Sequence, residues 1–329
     1  MSHVRVGARD GAGGALSPVV TITGGSGFLG QLLRVGLQRE GWEVRVFDPY
    51  RGPLVNLVRR RWLAGDERRG ARRAARAIRR AQLRAEPALI RTRAIRRRAD
   101  DILGERSSIT AAFAGSDAVI HLAGIPHPHQ PGATDADFLR VNYDGSVNVL
   151  EAARAASVPT FVFASSAQVY GINHLARVDE LPLPEDAHLP LPAEGQTTYG
   201  FLKGAFERYL AGVCADGSIT GVALRLEYPG FRSMGPENLY VSTSIENTVA
   251  GFACALRPPA GLRFGAFNLA DAHVDPEIAD VQAYIARRWP YARNRVAGNG
   301  SLMSTERAQQ VLGYRPVSGG RYVDASLVW

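Results

Sequence analysis

The sequence contains little cysteine and no long hydrophobic run. Its 329 residues include two cysteines, Cys214 and Cys254, which cannot form a disulfide framework and lack metal-ligand spacing. No apolar stretch approaches the ~18 residues that a membrane-spanning helix needs. Residues 1–17 are rich in Gly and Ala and lack the apolar core of a signal peptide, so we expect a flexible tail. We therefore expect a soluble, cytoplasmic protein.

Lysine is almost absent, which makes the one lysine informative. Of the 39 basic residues, 38 are Arg and one, Lys203, is Lys. Such a bias reflects a coding preference for Arg, so the Arg content says little about function. Lys offers a compact ammonium on a flexible stem, which the planar guanidinium of Arg does not replace. We therefore expect Lys203 to occupy a position that needs an ammonium group.

The net charge of +8 arises in a single segment. Residues 51–100 contain 17 Arg and four acidic residues, which leaves the rest of the chain near −5. We interpret residues 52–98 as an Arg-rich, solvent-exposed helical insertion, with a docking surface for an anionic substrate or partner as the alternative. Nucleic-acid binding is disfavoured because no recognised nucleic-acid module accompanies the charge.

Outside this insertion, strand patterns alternate with helical patterns. The strand segments are short and apolar, as in strands that are buried on both faces. Strands are predicted at 18–23, 42–48, 116–123, 160–165 and 219–226, and helices at 28–41, 135–156 and 197–215. Strands joined by helical crossovers predict an α/β fold with a doubly wound parallel sheet.

A glycine-rich segment, Thr23-Gly-Gly-Ser-Gly-Phe-Leu-Gly30, lies between the first predicted strand and helix. Glycines recur there at every third position: Gly24, Gly27 and Gly30. This pattern permits a tight turn and brings a pyrophosphate close to a helix N-terminus. Asp48 ends the next strand, where a carboxylate accepts hydrogen bonds from the adenosine ribose and repels a 2′-phosphate. The sequence therefore favours NAD over NADP, although Arg51 nearby keeps NADP open.

Tyr199 and Lys203 lie four residues apart in a predicted helix, so their side chains share one face. A free Tyr has a pKa near ~10 and is a poor base at neutral pH. A nearby ammonium favours the phenolate and lowers that pKa, which predicts an acid/base pair. The alternative, an ordinary amphipathic helix surface, is weakened because Lys203 is the only lysine.

Two serines end the buried strand that begins at Thr160. Ser165 and Ser166 would lie at the carboxyl edge of the sheet, where ligands bind in such folds. A hydroxyl group at this edge can hydrogen-bond to a substrate alcohol or carbonyl. Taken alone, Ser165 and Ser166 would favour the alternative that they merely close the strand.

Together, these motifs resemble the extended short-chain dehydrogenase/reductases, also called the NAD-dependent epimerase/dehydratase family. The resemblance extends from about Val19 to Leu226 and, more weakly, to Pro316. It rests on the glycine-rich segment, the Tyr199/Lys203 pair and four further motifs, namely His121-Leu-Ala-Gly124, Val141-Asn-Tyr-Asp-Gly-Ser-Val-Asn-Val-Leu-Glu151, Ala164-Ser-Ser-Ala-Gln-Val-Tyr-Gly171 and Leu312-Gly-Tyr-Arg-Pro316. It implies a Rossmann-like domain at 18–227, interrupted by the insertion, and a small C-terminal α/β substrate lobe at 228–329.

The resemblance also implies roles for individual residues. Tyr199 would be the catalytic acid/base, Lys203 its activator and a ribose ligand, and Ser166 the hydroxyl that orients the substrate. Asn142 would support the helix near the active site. The remaining expected cofactor contacts are Phe28 and Leu29 under the pyrophosphate, Asp101 and Ile102 beside adenine, and Leu122, Ala123 and Gly124 beneath the nicotinamide ribose.

The sequence departs from the family pattern after the predicted strand 219–226. Family members that act on nucleotide sugars usually have an Asn there, whereas this chain has Tyr228, preceded by Glu227. The segment that follows is short, which also admits smaller substrates. Glu227 is either an additional acid in the pocket or a solvent-facing strand end.

We expect an enzyme that abstracts hydride from a secondary alcohol of a sugar, as NAD-dependent epimerases and dehydratases do, with a nucleotide sugar as the leading substrate class. One alternative is a net NAD(P)-dependent oxidoreductase acting on a small sugar, sugar acid or ketone. Another is a non-catalytic NAD-binding scaffold. The resemblance further implies a homodimer.

Overall fold

The computed structural model describes residues 17–49, 101–172, 178–233, 235–236 and 239–323. The predicted tail, apart from Ser17, and the predicted Arg-rich insertion lie outside these ranges. No helix within the described ranges combines the length and apolar character needed to cross a bilayer.

The centre of the fold is a parallel sheet of six strands. Its strands are β1 (Val19–Thr23), β2 (Glu43–Phe47), β3 (Ala118–His121), β4 (Thr160–Ser166), β6 (Thr220–Leu226) and β7 (Phe264–Leu269). They lie in the order β2-β1-β3-β4-β6-β7, and every neighbouring pair is parallel. The predicted doubly wound parallel sheet is therefore confirmed.

Helices cover both faces of this sheet. Their bounds are α1 (Phe28–Arg39), α2 (Arg106–Phe113), α3 (Asp135–Phe138), α4 (Gly145–Ala155), α5 (Thr198–Cys214), α6 (Ile245–Ala255), α7 (Val281–Arg288) and α8 (Glu306–Leu312). Alternate residues of β4 point to opposite faces, since Val162 joins the core beneath α1 and α6 while Phe163 joins the core beneath α4 and α5. The apolar runs read from the sequence are thus strands buried on both sides.

The predicted helix 135–156 is interrupted in its middle. A π-helical segment, Leu139–Asp144, joins α3 to α4, and within it Asn142 is 2% exposed. Segments of this kind widen one helical turn and are frequent at functional sites. Here the wider turn carries Asn142 towards the end of β3.

A smaller lobe with its own hydrophobic core lies at the carboxyl end of the sheet. It contains a two-stranded parallel ladder of β5 (Glu180–Leu181) and β8 (Arg293–Asn294). Its core combines residues from within 167–183, such as Leu183, with residues from within 239–303, such as Leu302. The predicted lobe segment 228–329 also supplies β7 to the large sheet, so not all of that segment lies in the lobe. The predicted domain boundaries themselves stay predictions.

Candidate active site

The glycine-rich loop leaves space that a side chain would fill. Gly24 follows β1 with φ of +70°, and a Cβ at this residue would lie 2.8 Å from the backbone nitrogen of Ala123. Gly27 is the N-cap of α1 and provides no capping side chain, and Gly30 lies in the first turn. The first N–H groups of a helix have no partner within it, so this turn suits an anionic ligand.

Asp48 and Asp101 are the two predicted adenosine contacts that carry carboxylates. The Asp48 carboxylate accepts a hydrogen bond from the backbone N–H of Ser26 at 2.9 Å, so it faces the loop at the end of β2. Asp101 is 5% exposed, and its Oδ1 accepts from the backbone N–H of Leu103 at 2.9 Å. The other oxygen, Oδ2, is buried without a hydrogen-bond partner among the described residues. An acceptor of this kind suits the amino group of adenine, so these residues fit an adenine dinucleotide.

Of the other predicted cofactor residues, all but Ile102 adjoin the glycine-rich loop. The Phe28 ring contacts the Phe231 ring at a tilt of 35° with centroids 4.5 Å apart, while Leu29 packs against the core beneath the loop. Ile102 is buried and contacts Gly145 at the start of α4. Residues 122–124 follow β3 directly, beside Gly24. Residues 122–124 therefore adjoin the glycine-rich loop, while Ile102 lies in the core against the start of α4.

Asn142 holds the segment that follows β3. Its Oδ1 accepts from the backbone N–H of Ile125 at 2.7 Å, and its Nδ2 donates to the Ile125 carbonyl at 3.1 Å. The reciprocal pair fixes the path of Leu122, Ala123 and Gly124. Asn142 therefore supports the predicted cofactor loop directly, in addition to its place in the helix.

His121 connects this loop to β1 through a chain of buried hydrogen bonds. Its Nδ1 lies 2.7 Å from Thr23 Oγ1, and its Nε2 lies 2.8 Å from Ser146 Oγ. The Ser146 hydroxyl donates its one proton to the Asn142 carbonyl at 2.6 Å, so Nε2 must carry a proton and donate. Burial, together with the charge of Lys203, lowers the pKa of His121 to about 3. His121 is therefore a neutral structural link, which its place in the family motif did not reveal.

The three predicted catalytic residues meet at the carboxyl end of β4. The Ser166 hydroxyl is close enough to the Tyr199 phenol to lower its pKa, and the Ser166 Oγ accepts from the Gln168 backbone N–H at 3.1 Å. Lys203, one turn along α5, donates from Nζ to the Ala164 carbonyl at 2.8 Å. Its Nζ lies 5.7 Å from the centre of the Tyr199 ring. All three residues are less than a tenth exposed.

The electrostatics of this group differ from the sequence-based expectation. Burial raises the pKa of Tyr199, the hydrogen bond with Ser166 lowers it, and the charge of Glu227 raises it further, with a net upward shift. Burial lowers the pKa of Lys203 to about 8 against the opposing effect of Glu207. The prediction that Lys203 lowers the Tyr199 pKa towards neutrality is therefore wrong. The net shift of that pKa is upward, because the desolvation of the phenol dominates.

The start of α5 is held against the end of β4 by residues that sequence reasoning left undecided. Gln196 Nε2 donates to the carbonyls of Gln168 and Val169, both at 2.9 Å. Thr197 caps the helix by accepting from the Gly200 backbone N–H at 3.1 Å. At Gly200, a Cβ would lie 2.3 Å from the Gln168 carbonyl oxygen. These contacts bring Tyr199 within reach of Ser166.

Glu227 lies in the site and does not face solvent. It is 6% exposed, and its Oε1 accepts a hydrogen bond from Gln168 Nε2 at 3.4 Å. The alternative of a solvent-facing strand end is therefore wrong. The neighbouring Tyr228 is 39% exposed, so the two residues that replace the usual Asn region face different surroundings.

The fold and the Ser166–Tyr199–Lys203 group are those of an extended short-chain dehydrogenase/reductase. The sequence profile described as the NAD dependent epimerase/dehydratase family matches residues 20–238, and the chain belongs to that family.

Individual relatives agree with this assignment. UDP-glucose 4-epimerase of Bos taurus is 30% identical over 214 residues, which are 64% of this chain and 53% of that protein. The chain thus spans about half the length of this curated relative. L-arabinose 1-dehydrogenase (NAD(P)(+)) of Haloferax volcanii is 40% identical over 72 residues, or 22% of this chain and 27% of that protein. The structure of UDP-glucose 4-epimerase from Bifidobacterium longum in complex with NAD+ and UDP superposes with a TM-score of 0.63 at 18% identity, covering 94% of this chain and 97% of that one.

Proposed function

We propose that the chain is an NAD-dependent epimerase or dehydratase type of enzyme that oxidises a secondary alcohol of a nucleotide sugar. The observation that carries this proposal is the buried group of Ser166, Tyr199 and Lys203 at the end of β4, together with a glycine loop that fits a dinucleotide. The similarity to UDP-glucose 4-epimerases supports the substrate class.

Tyr199, Ser166 and Lys203 each have a separate role in this reaction. When bound, NAD accepts a hydride from the alcohol carbon. Tyr199 takes the hydroxyl proton, while Ser166 holds the substrate oxygen. Lys203 is predominantly protonated at neutral pH, since its pKa is about 8, and its ammonium stabilises the phenolate as it forms. When the reaction runs in reverse, the Tyr199 phenol returns its proton to the substrate oxygen.

The experiment that tests this proposal begins with the purified protein, which is denatured so that any released nucleotide can be identified. We expect near-stoichiometric NAD and interconversion of UDP-glucose and UDP-galactose, or loss of water from one of them, without net cofactor reduction. Tyr199→Phe removes the transferable proton and should reduce kcat by about 10²–10⁴-fold while NAD stays bound. Tyr209→Phe, on the same helix but bonded to Glu151 instead, is the matched control. A Tyr199→Phe enzyme with full activity would contradict the catalytic assignment.

A net oxidoreductase acting on a small sugar is the second candidate. It is favoured by Tyr228, which stands where nucleotide-sugar enzymes of the family have Asn, and by the similarity to L-arabinose 1-dehydrogenase. An empty site that binds NAD reversibly, with NADH accumulating on addition of small sugars, would select this function. NAD binding without turnover of either substrate class would select a non-catalytic scaffold. Homodimerisation and a cytoplasmic location stay predictions.

A further inference from the structure

Glu227 lies next to the Ser166–Tyr199 pair by virtue of the sheet itself. Leu226, the last residue of β6, pairs with Ser166, the last residue of β4. Glu227 is therefore the first residue beyond the sheet edge on the neighbouring strand. Gln168 joins the two sites, since its side chain donates to the Glu227 carboxylate and its backbone N–H donates to Ser166 Oγ.

The backbone around Glu227 is fixed in an unusual conformation. The Glu227 carbonyl accepts from Thr243 Oγ1 at 3.1 Å, and the Thr243 carbonyl accepts from the Gly230 N–H at 2.7 Å. Tyr228 has φ of +47°, in the left-handed region that non-glycine residues rarely adopt. Such strain persists where the surrounding structure enforces it, and it clusters at ligand sites. The turn holds the Glu227 side chain on the side of Ser166 and Gln168.

The chemistry of a buried carboxylate restricts what can bind beside it. An ionised carboxylate only accepts hydrogen bonds, so it suits the hydroxyl groups of a sugar ring, each of which donates one. A second carboxylate at the same place would meet a like charge at low dielectric constant. The charge of Glu227 acts on the neighbouring Tyr199 phenol and raises its pKa.

We propose that Glu227 is a specificity-determining residue that accepts hydrogen bonds from a neutral sugar ring and excludes sugar acids. This inference rests on the proposed function and restricts it, because it separates neutral sugars from the sugar acids that the oxidoreductase alternative would admit.

The test compares sugars that differ only at C6, which carries a neutral hydroxymethyl group in one and a carboxylate in the other. The NAD-loaded protein is titrated with UDP-glucose and UDP-glucuronate, and with glucose and glucuronate, while Kd is measured by calorimetry and cofactor reduction by absorbance. We expect the wild-type protein to prefer the neutral member of a pair by at least about tenfold. Glu227→Gln, which keeps size and one acceptor, should reduce this preference to about threefold or less. Glu227→Asp keeps the charge and should retain the preference. Glu277→Gln removes an equal charge from an exposed position and should leave the preference unchanged.

The outcomes separate this inference from the proposed function. If a sugar binds or reduces the cofactor and Glu227→Gln leaves the preference unchanged, Glu227 does not determine specificity, while the proposed function stands. A wild-type protein that prefers the sugar acid would also overturn the inference alone. If neither neutral nor acidic sugars bind the NAD-loaded wild type, the proposed function fails and the inference fails with it.

Discussion

At the scale of single residues, His121 illustrates how a buried polar group serves a site without taking part in its chemistry. It accepts a hydrogen bond from Thr23 on one side and donates one to Ser146 on the other. Phe161, Phe163 and Phe206 surround the ring, with centroids 6.0–6.3 Å away. A charged imidazole here would lose hydration without gaining a counter-ion from these neighbours.

The free energy of unfolding should therefore fall with acidification, and His121 should be a principal cause. Folded His121 binds a proton only near pH 3, whereas an unfolded His binds one below about 6.5. Between these values the unfolded state binds more protons, so stability rises with pH across this window. At pH 5 the loss relative to neutral pH is about 2 kcal/mol.

Urea unfolding of wild type and His121→Gln at about pH 7.5 and about pH 5 measures this contribution. Glutamine cannot titrate. Over that interval the free energy of unfolding of His121→Gln should therefore decline by about 2 kcal/mol less than that of the wild type, whatever its value at neutral pH. His188→Gln, which removes an exposed imidazole, should decline as the wild type does. Equal declines for all three proteins would contradict the assignment of a neutral buried His121.

At the scale of elements, the close approach of α5 to the end of β4 positions Tyr199 and Lys203, the proposed catalytic residues. Gly200 permits this approach because nothing larger than hydrogen fits against the Gln168 carbonyl. Gly200→Ala should push the start of the helix away, which separates Tyr199 from Ser166 and costs about 1–3 kcal/mol of stability. We expect kcat to fall more than NAD binding, as measured by steady-state kinetics and by nucleotide content.

Gly212 provides the matched control on the same helix. A Cβ there meets no atom within 4 Å, so Gly212→Ala should raise helix stability by about 0.5–1 kcal/mol. Its kcat should equal that of the wild type. If Gly200→Ala behaves like Gly212→Ala, the tight contact does not position Tyr199.

At the scale of the whole molecule, a buried charged pair joins the sheet to the smaller lobe. Arg225 on β6 donates from Nη2 to Glu207 on α5 at 2.6 Å, and both side chains are about 5% exposed or less. Its Nη1 donates to the Glu185 carbonyl at 2.7 Å and to the Tyr170 hydroxyl at 2.5 Å. Tyr170 in turn donates to Asn268 on β7 at 2.8 Å. One guanidinium thus satisfies Glu207, the Glu185 carbonyl and Tyr170, and Tyr170 extends the network to β7.

Arg225→Met should destabilise the protein by about 3–5 kcal/mol, because it leaves the Glu207 carboxylate buried without its partner. Adding Glu207→Gln removes that charge and should recover part of the loss in urea unfolding. Glu43→Gln breaks an exposed pair with Arg45 and should cost less than about 1 kcal/mol. A double variant less stable than Arg225→Met would show that the unpaired charge is not the main cost.

The parallel sheet, the glycine loop and the Tyr199–Lys203 pair could be predicted from the amino-acid sequence. These are local patterns: buried strands are apolar along their length, and residues four apart share a helix face. The sequence did not reveal the π-helical turn at Asn142, the protonation of His121 or the contribution of β7 from the predicted lobe segment, since each depends on partners that are distant in the chain.

The direction of the Tyr199 pKa shift and the burial of Glu227 could be read only from the tertiary structure. A sequence places Tyr199 near an ammonium, but the sign of its pKa shift is set by burial among the surrounding elements, which raises it. A strand-end residue likewise faces water or a pocket according to how the following turn is held, and here Thr243 holds it inwards. Burial and contact depend on how distant segments pack. Here they follow from the packing of β4, β6 and α5, which local sequence patterns do not specify.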